Sequence, residues 1–106
     1  MENINNQRWK ELTSQDDNKV ILDVRTDEEV ADGIIPNSIQ LDIYQPQEFM
    51  DGINAMDKTK TYYIYCRSGG RSAQACQIME QAGFERTYNL EGGYSNWDGD
   101  TAMPKS

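Results

Sequence analysis

The stretch from Thr61 to Gln81 constrains the fold of this chain more than any other segment, because it predicts a strand, a turn and a helix in direct succession. Residues 61–65 read Thr-Tyr-Tyr-Ile-Tyr, an aromatic and β-branched run that favours a buried strand. Residues 66–70 form a glycine-bearing turn, and Arg71 to Gln81 carry small and apolar side chains at helical spacing up to Gly83. A strand that passes straight into a helix is typical of α/β proteins with parallel sheets.

The remaining sequence repeats this alternation of strands and helices. We predict further helices at Asn6–Thr13, from the Thr26 N-cap to about Asp32, and at Gln45–Ile53. We predict further strands at Val20–Val24, Ser38–Asp42 and Arg86–Leu90, and a short final helix after Gly92-Gly93. The third of these helices is expected to turn Phe49, Met50 and Ile53 inwards.

The alternation and the length together predict one α/β domain. A chain of 106 residues is the size of a single domain, and only 37% of its residues are hydrophobic, so we expect one modest core. We place that core at about residues 5–98 and expect residues 99–106 to form a polar, frayed tail. The strands are expected to form a mostly parallel central sheet with helices on both faces, which is a three-layer sandwich.

The charge of the chain limits the classes of partner that it can bind. The formal net charge is −8, while Arg67 and Arg71 make the turn locally basic. An acidic body is unfavourable for binding nucleic acid or an anionic membrane, and we expect neither as a partner. A small anion remains compatible with the basic turn, because nearby charges outweigh distant, screened ones.

The cysteine and histidine content restricts the chemistry. There is no histidine, which excludes cysteine–histidine dyads, and two cysteines are too few for a four-thiolate zinc site, so we predict no metal and no cofactor. Cys76 lies about two turns into the predicted helix, too far from Cys66 for a disulfide, and is predicted to pack in the core. Residues 1–6 carry no basic or apolar run, so we expect no signal peptide and a reducing, cytoplasmic location.

Cys66 is the candidate nucleophile because of the residues that follow it. Amides in a tight turn before a helix point inwards, and the helix N-terminus adds positive potential, so a thiol there is stabilised as the thiolate. Core packing is the usual role of a cysteine at a strand end, but a polar, glycine-rich continuation cannot pack a core. We therefore predict a catalytic Cys66 and a substrate-binding segment of Arg67, Ser68, Gly69, Gly70, Arg71 and Ser72.

Asp23 and Arg25 are predicted to support this loop. They follow the first strong strand, and the carboxyl ends of parallel strands meet at one edge of the sheet, which brings them near Cys66. We expect them mainly to hold the architecture through hydrogen bonds. Arg67 is the better candidate for contacting an incoming anion, whereas Arg71 can contact the substrate or act as a structural clamp paired with an acid such as Asp23.

Three segments in this order resemble the signature motifs of rhodanese-like sulfurtransferases. They are Leu22-Asp23-Val24-Arg25 through Gly33-Ile34-Ile35-Pro36, the loop Cys66–Ser72, and Leu90–Tyr94 with Trp97. The likeness covers about residues 5–98 and implies the rhodanese-like fold of a single-domain member. It also implies a reaction in which Cys66 takes sulfur from a thiosulfate-like anion, forms a persulfide, and passes the sulfur to cyanide or a thiol on a small molecule or protein.

Two alternatives stay open from the sequence. The domain can be a sulfur carrier or partner-binding module whose donor is a protein persulfide. It can also be a cysteine-dependent phosphatase or arsenate reductase, whose loops place five residues between cysteine and arginine. Only four residues separate Cys66 from Arg71, which suits a single sulfur better than a phosphoryl group, and Tyr65 stands where those phosphatases usually carry histidine.

The first motif departs from the family pattern at three places. Ile34 stands where histidine is common, Asn37-Ser38 follow the proline in place of Gly-Ala, and Val30 replaces a large aromatic residue. We expect altered hydrogen bonding in that turn and an intact nucleophile.

Overall fold

The computed structural model of the chain describes residues 1–104, in which strands and helices alternate as the sequence predicts. The elements are β1 (Glu2–Ile4), α1 (Asn6–Gln15), β2 (Lys19–Asp23), α2 (Asp27–Ala31), β3 (Ser38–Gln40), α3 (Pro46–Asn54), β4 (Thr61–Tyr65), α4 (Gly70–Gln81), β5 (Arg86–Leu90) and a 3₁₀ turn, Tyr94–Asn96. Within residues 1–104, none of the helices has the length and apolar character needed to cross a membrane.

The strands form one parallel sheet in the order β1-β5-β4-β2-β3. The strand that precedes the Cys66 loop, β4, lies at the centre, and all five of its residues are buried. Asp23 at the end of β2 is in register with Tyr65 at the end of β4, so both strands finish at the same edge. This register places the residues after Asp23 beside the loop that begins at Cys66.

The core is split by the sheet into two apolar clusters, because successive strand residues point to opposite faces. On one face α3 and α4 pack on Leu22, Tyr62 and Ile64. On the other face Trp9 of α1 packs on Ile21, Tyr63 and Tyr65. Helices on both faces of a parallel sheet confirm the predicted three-layer α/β sandwich.

The structure differs from the sequence prediction at both ends of the chain. Residues 2–4 lie outside the predicted core but form β1, which pairs with β5 and buries Ile4. The predicted tail is held to the body at Ala102, whose N–H donates to the Ile34 carbonyl over 2.9 Å while Ile34 N–H donates to the Ala102 carbonyl over 2.8 Å. Residues 105–106 of that tail lie outside the described residues.

The prediction that Met50 faces inwards is wrong. Phe49 and Ile53 are buried in α3, whereas Met50 is exposed. Residues four apart share one face of a helix, and the residue after Phe49 is rotated by about 100° from that face. One turn of α3 therefore supplies the core with two side chains instead of three.

Candidate active site

The loop from Cys66 to Ser72 joins the end of β4 to the first turn of α4. Gly69 permits the tight turn, because its φ of +105° lies in the left-handed region that disfavours a side chain. Cys66 has no exposed surface, whereas Arg67 and Ser68 are exposed. The thiol therefore lies beneath the outer surface of the loop.

Hydrogen-bond donors converge on the sulfur of Cys66. The Gly69 amide donates to Sγ over 3.1 Å, and the Ser72 hydroxyl lies 3.3 Å from Sγ. Burial raises the pKa of the Cys66 thiol, but hydrogen bonds from the Ser72 hydroxyl and from amides of the loop outweigh burial, so the pKa lies below its ordinary value. The arrangement favours the thiolate, as the sequence predicts for a turn of this kind.

Asn89 of β5 contacts the same loop from the sheet side. Its Nδ2 donates to the Gly69 carbonyl over 3.2 Å and to Asn3 Oδ1 over 3.0 Å, while its Oδ1 accepts from the Ser72 hydroxyl. Asn89 is not among the site residues that the sequence predicts, because a single amide within a strand carries no local signal. The one available signal is the alternation of side chains along β5, which turns Asn89 inwards and leaves it 4% exposed.

Glu29 of α2 holds the guanidinium of Arg71. Two parallel hydrogen bonds of 2.8 Å join Arg71 Nη1 and Nη2 to the two carboxylate oxygens. The same carboxylate accepts from the N–H and hydroxyl of Thr26, which completes the capping box of α2. The hydrogen bonds from Arg71 oppose the effect of burial and lower the pKa of Glu29 to about 2, so the pair stays ionised.

This ion pair corrects the partner that the sequence suggests for Arg71. The acid is Glu29 rather than Asp23, and its bidentate geometry favours the clamp role for Arg71. Arg67, by contrast, has an exposed side chain and makes no ion pair with the residues the structure describes. The two arginines of the loop thus differ in their freedom to meet an anion.

Asp23 and Arg25 form a second, fully buried pair. Arg25 Nη2 lies 2.8 Å from Asp23 Oδ2 and donates to the Gly33 carbonyl over 2.7 Å. The Arg25 guanidinium also stacks 4.3 Å from the centre of the Tyr94 ring. The pair lies at the predicted sheet edge, and its contacts hold the turn after α2 instead of reaching the thiol.

Ile34, which replaces the histidine common in the family, is buried and pairs through its backbone with Ala102. The next amide, that of Ile35, donates to the hydroxyl of Tyr65 over 3.0 Å, and the same hydroxyl lies 3.0 Å from Ser38 Oγ. Tyr65 therefore supplies hydrogen bonds to this turn from the centre of the sheet.

The segment after β5 supports the main chain of the loop. Tyr94 N–H donates to the Cys66 carbonyl over 2.8 Å, and Ser95 N–H donates to the Arg67 carbonyl over 3.0 Å. Gly93 permits this approach, because a Cβ there would lie 2.5 Å from the carbonyl oxygen of Arg67. The motif Leu90–Tyr94 with Trp97 therefore supports the loop Cys66–Ser72 through backbone hydrogen bonds.

Cys76 lies in the middle of α4 and has no exposed surface. Burial raises its pKa to about 12, and both Cys66 and Cys76 are free thiols. Its place in the apolar cluster agrees with the predicted packing role. Across residues 1–104, no three histidine, cysteine, aspartate or glutamate side chains lie close enough together to hold a metal ion.

Comparison with known proteins identifies the family of the chain. Residues 6–100 match the family described as "Rhodanese-like domain". The Bacillus subtilis protein named "Putative sulfurtransferase YtwF" is 40% identical over 97 residues, which cover 92% of this chain and 89% of that protein. A protein of Allochromatium vinosum named "Sulfurtransferase" is 41% identical over 78 residues, covering 74% of this chain and 70% of its own length.

More distant similarity extends to longer proteins. A "tRNA uridine(34) hydroxylase" of Cupriavidus taiwanensis is 37% identical over 91 residues and covers 81% of this chain, which spans only 32% of that protein. This similarity is therefore limited to a domain-sized part of the hydroxylase.

Solved structures agree with the sequence comparison. The crystal structure of a rhodanese-like domain protein from Staphylococcus aureus is 33% identical and has a TM-score of 0.84, covering 99% of this chain and 100% of its own. A Rhodopseudomonas palustris protein described as "Possible Tyrosine Phosphatase" has a TM-score of 0.72 at 24% identity, covering 92% of this chain and 79% of its own, which shows a shared fold alone. The chain belongs to the rhodanese-like domain family.

Proposed function

We propose that the protein is a sulfurtransferase that moves sulfur from a small anionic donor such as thiosulfate to a thiophilic acceptor through a persulfide on Cys66. The observation that carries this proposal is the convergence of the Gly69 amide and the Ser72 hydroxyl on the Cys66 sulfur. Donors aimed at one sulfur atom stabilise a thiolate, which is the nucleophile in sulfur exchange. The relatives named as sulfurtransferases support the same reaction class.

The proposed chemistry needs no oxidant and no cofactor. The Cys66 thiolate attacks the outer sulfur of thiosulfate, a new sulfur–sulfur bond forms, and sulfite leaves with the electron pair of the bond that breaks. The negative charge then resides on the terminal sulfur of the persulfide, where the amides of residues 67–72 stabilise it. Cyanide or a thiolate next attacks that terminal sulfur, and the Cys66 thiolate leaves.

Arg67 is the proposed contact for the incoming anion. Its side chain is exposed and directly follows Cys66 in the chain, whereas the guanidinium of Arg71 is occupied by Glu29. Because Cys66 is fully covered, we propose that the exposed side chains of Arg67 and Ser68 move outwards when the donor enters. A reducing compartment such as the cytoplasm suits this chemistry, since it keeps the thiol free.

The spacing of the loop favours sulfur over phosphorus. Four residues separate Cys66 from Arg71, which leaves a smaller cradle than a phosphoryl group with three oxygens requires. We do not propose a tRNA substrate for this chain, because it spans only part of the hydroxylase relatives and its net charge of −8 disfavours nucleic acid.

The test measures thiocyanate produced from thiosulfate and cyanide by the purified protein. We expect turnover by the wild type and by Cys76→Ala, and loss of turnover in Cys66→Ser. Activity retained in Cys66→Ser would contradict the mechanism.

Intact-mass measurement after exposure to donors separates transferase from carrier. We expect one added sulfur atom on Cys66 after thiosulfate. Sulfur accepted from a protein persulfide but not from thiosulfate would instead assign the role of a sulfur carrier.

A further inference from the structure

The hydroxyl of Ser72 has two acceptors within reach and one hydrogen to donate. One acceptor is Cys66 Sγ at 3.3 Å, and the other is the closer Asn89 Oδ1. A serine hydroxyl donates a single hydrogen, so it serves one of these acceptors at a time. Cys66 Sγ keeps the hydrogen bond from the Gly69 amide when the hydroxyl turns to Asn89, whereas the buried Asn89 Oδ1 loses its donor when the hydroxyl turns to the sulfur.

The orientation of the Asn89 amide is fixed by the loop backbone. Its Nδ2 donates to the carbonyl of Gly69, an acceptor that cannot become a donor, and its second hydrogen goes to Asn3 Oδ1. A flipped amide would set Oδ1 against the Gly69 carbonyl oxygen. Asn89 therefore presents its oxygen to Ser72 and competes with Cys66 for the hydroxyl hydrogen.

The charge on Cys66 decides this competition. While the thiol is protonated, the hydroxyl donates to Asn89 Oδ1, and the thiol hydrogen can donate to Ser72 Oγ. Once the thiolate forms, the sulfur becomes the stronger acceptor, because hydrogen bonds to a charged group are about twice as strong as neutral ones. The hydroxyl then rotates to the sulfur, its hydrogen stays on Ser72 throughout, and Asn89 Oδ1 loses its donor.

We propose that Asn89 is a positioning residue that gives the Ser72 hydroxyl a second resting orientation and thereby opposes formation of the Cys66 thiolate. The functional meaning of this inference rests on the proposed role of Cys66 as nucleophile. Asn89 limits how much thiolate is present before a donor arrives, while the loop amides keep enough of it for attack.

The other titratable groups that interact with Cys66 leave this inference unchanged. Arg71 and Cys76 both act on it electrostatically from α4, and neither forms a hydrogen bond with Asn89. On the sheet side, β5 and β1 present the neutral amides of Asn89 and Asn3 to the loop. Substitution of Asn89 by an apolar residue therefore removes the acceptor of the Ser72 hydroxyl and the amide donor to Gly69 and Asn3, and it changes no charge.

The test is a titration of Cys66 followed through its ¹³Cβ chemical shift by NMR, which requires neither an alkylating reagent nor a sulfur donor. We expect Asn89→Leu to lower the titration midpoint by about half to one pH unit, which is a three- to tenfold gain in the thiolate-to-thiol ratio. Asn89→Asp should raise the midpoint, because a carboxylate holds the hydroxyl more strongly and adds negative charge. Asn3→Ala, which removes a contact of Asn89 that does not involve Ser72, should leave the midpoint unchanged.

A double-variant cycle distinguishes positioning from general support of the loop. If Asn89 acts through Ser72, its substitution by leucine has no effect in a Ser72→Ala background. A midpoint raised by Asn89→Leu, or a lowering that persists without the Ser72 hydroxyl, would overturn the proposal. Asn89→Ala removes the same acceptor and gives the same test if the leucine variant does not fold. Because no donor is used, the result does not depend on whether thiosulfate is turned over.

Discussion

Cys66 and Cys76 have the same burial and opposite acidity. Both side chains are free thiols with no exposed surface. Burial raises the pKa of Cys76 to about 12, and it acts in the same direction on Cys66, where hydrogen bonds overcome it and lower the pKa. The comparison indicates that hydrogen-bond donors aimed at the sulfur, and not exposure, account for the different acidity of the two thiols.

The position of each cysteine relative to α4 explains the difference. Cys66 precedes the helix, where the first-turn amides have no carbonyl partner within the helix and are free to bind a thiolate. Cys76 lies in mid-helix, where amides bind the carbonyls four residues earlier. The same helix therefore activates the thiol before its N-terminus and leaves the thiol in its interior inert.

The largest expected effect is the difference in alkylation of the two thiols. With iodoacetamide at neutral pH, we expect Cys66 to react at least about 1,000-fold faster than Cys76, because the thiolate is the reactive form. Peptide mass spectrometry after short exposure measures both sites in one sample. Similar rates at the two sites would contradict this prediction, because they would mean that burial limits alkylation of both thiols and that the hydrogen-bond donors do not matter.

The second prediction concerns the backbone that holds the Cys66 loop. In Gly93→Ala the new Cβ would meet the Arg67 carbonyl, so we expect the loop to shift and sulfur transfer to fall by about 100-fold. Gly83→Ala is the matched control, because Gly83 also has a positive φ but its nearest neighbour would be the Lys58 side chain at 3.8 Å. Both variants carry backbone strain and should lose stability. Only Gly93→Ala should also lose activity when the protein is folded.

A smaller effect is expected from Ser72→Ala, which removes one donor to Cys66. Because that hydrogen bond lowers the pKa of the thiol, its loss raises the pKa, and the rise of activity with pH moves to higher pH. We expect about a tenfold loss at neutral pH that is largely recovered in alkaline buffer. Ser95→Ala, whose hydroxyl donates to the Gly92 carbonyl, should keep the wild-type profile. An unshifted profile in Ser72→Ala would show that the amides alone lower the pKa.

The contrast between predicted and missed residues has a physical cause. The bounds of β4 and β5 and the position of the loop between β4 and α4 could be predicted, because they depend on neighbouring residues. Glu29 and Asn89 could not be predicted as partners of the loop, since they are 42 residues from Arg71 and 17 from Ser72 and meet them only after folding. β1 was missed because its three residues are too few to show a period.

The smallest expected effect on activity comes from substitution of Glu29, because Glu29 affects the Cys66 loop only through its ion pair with Arg71. In Glu29→Gln one hydrogen bond to Arg71 can remain but the charge is lost, so we expect a loss of activity of about two- to fivefold and a fall in unfolding free energy of about 1–3 kcal/mol. Chemical denaturation at neutral pH and the sulfur-transfer assay measure the two effects. Glu28→Gln is the matched control, because it removes one exposed charge from the same helix turn.

The pH dependence of stability separates the Arg71 ion pair from the helix cap that Glu29 also forms. Folding lowers the pKa of Glu29 from 4.5 to about 2, so the folded state binds this proton less readily than the unfolded chain. The contribution to stability is therefore complete above pH 4.5 and is lost as the pH falls towards 2. The difference in unfolding free energy between wild type and Glu29→Gln should therefore shrink as the pH falls through this window. Arg71→Ala, which leaves the helix cap intact, should show most of the same change with pH. If Arg71→Ala leaves the acid dependence of the wild type in place, the cap rather than the ion pair lowers the pKa of Glu29.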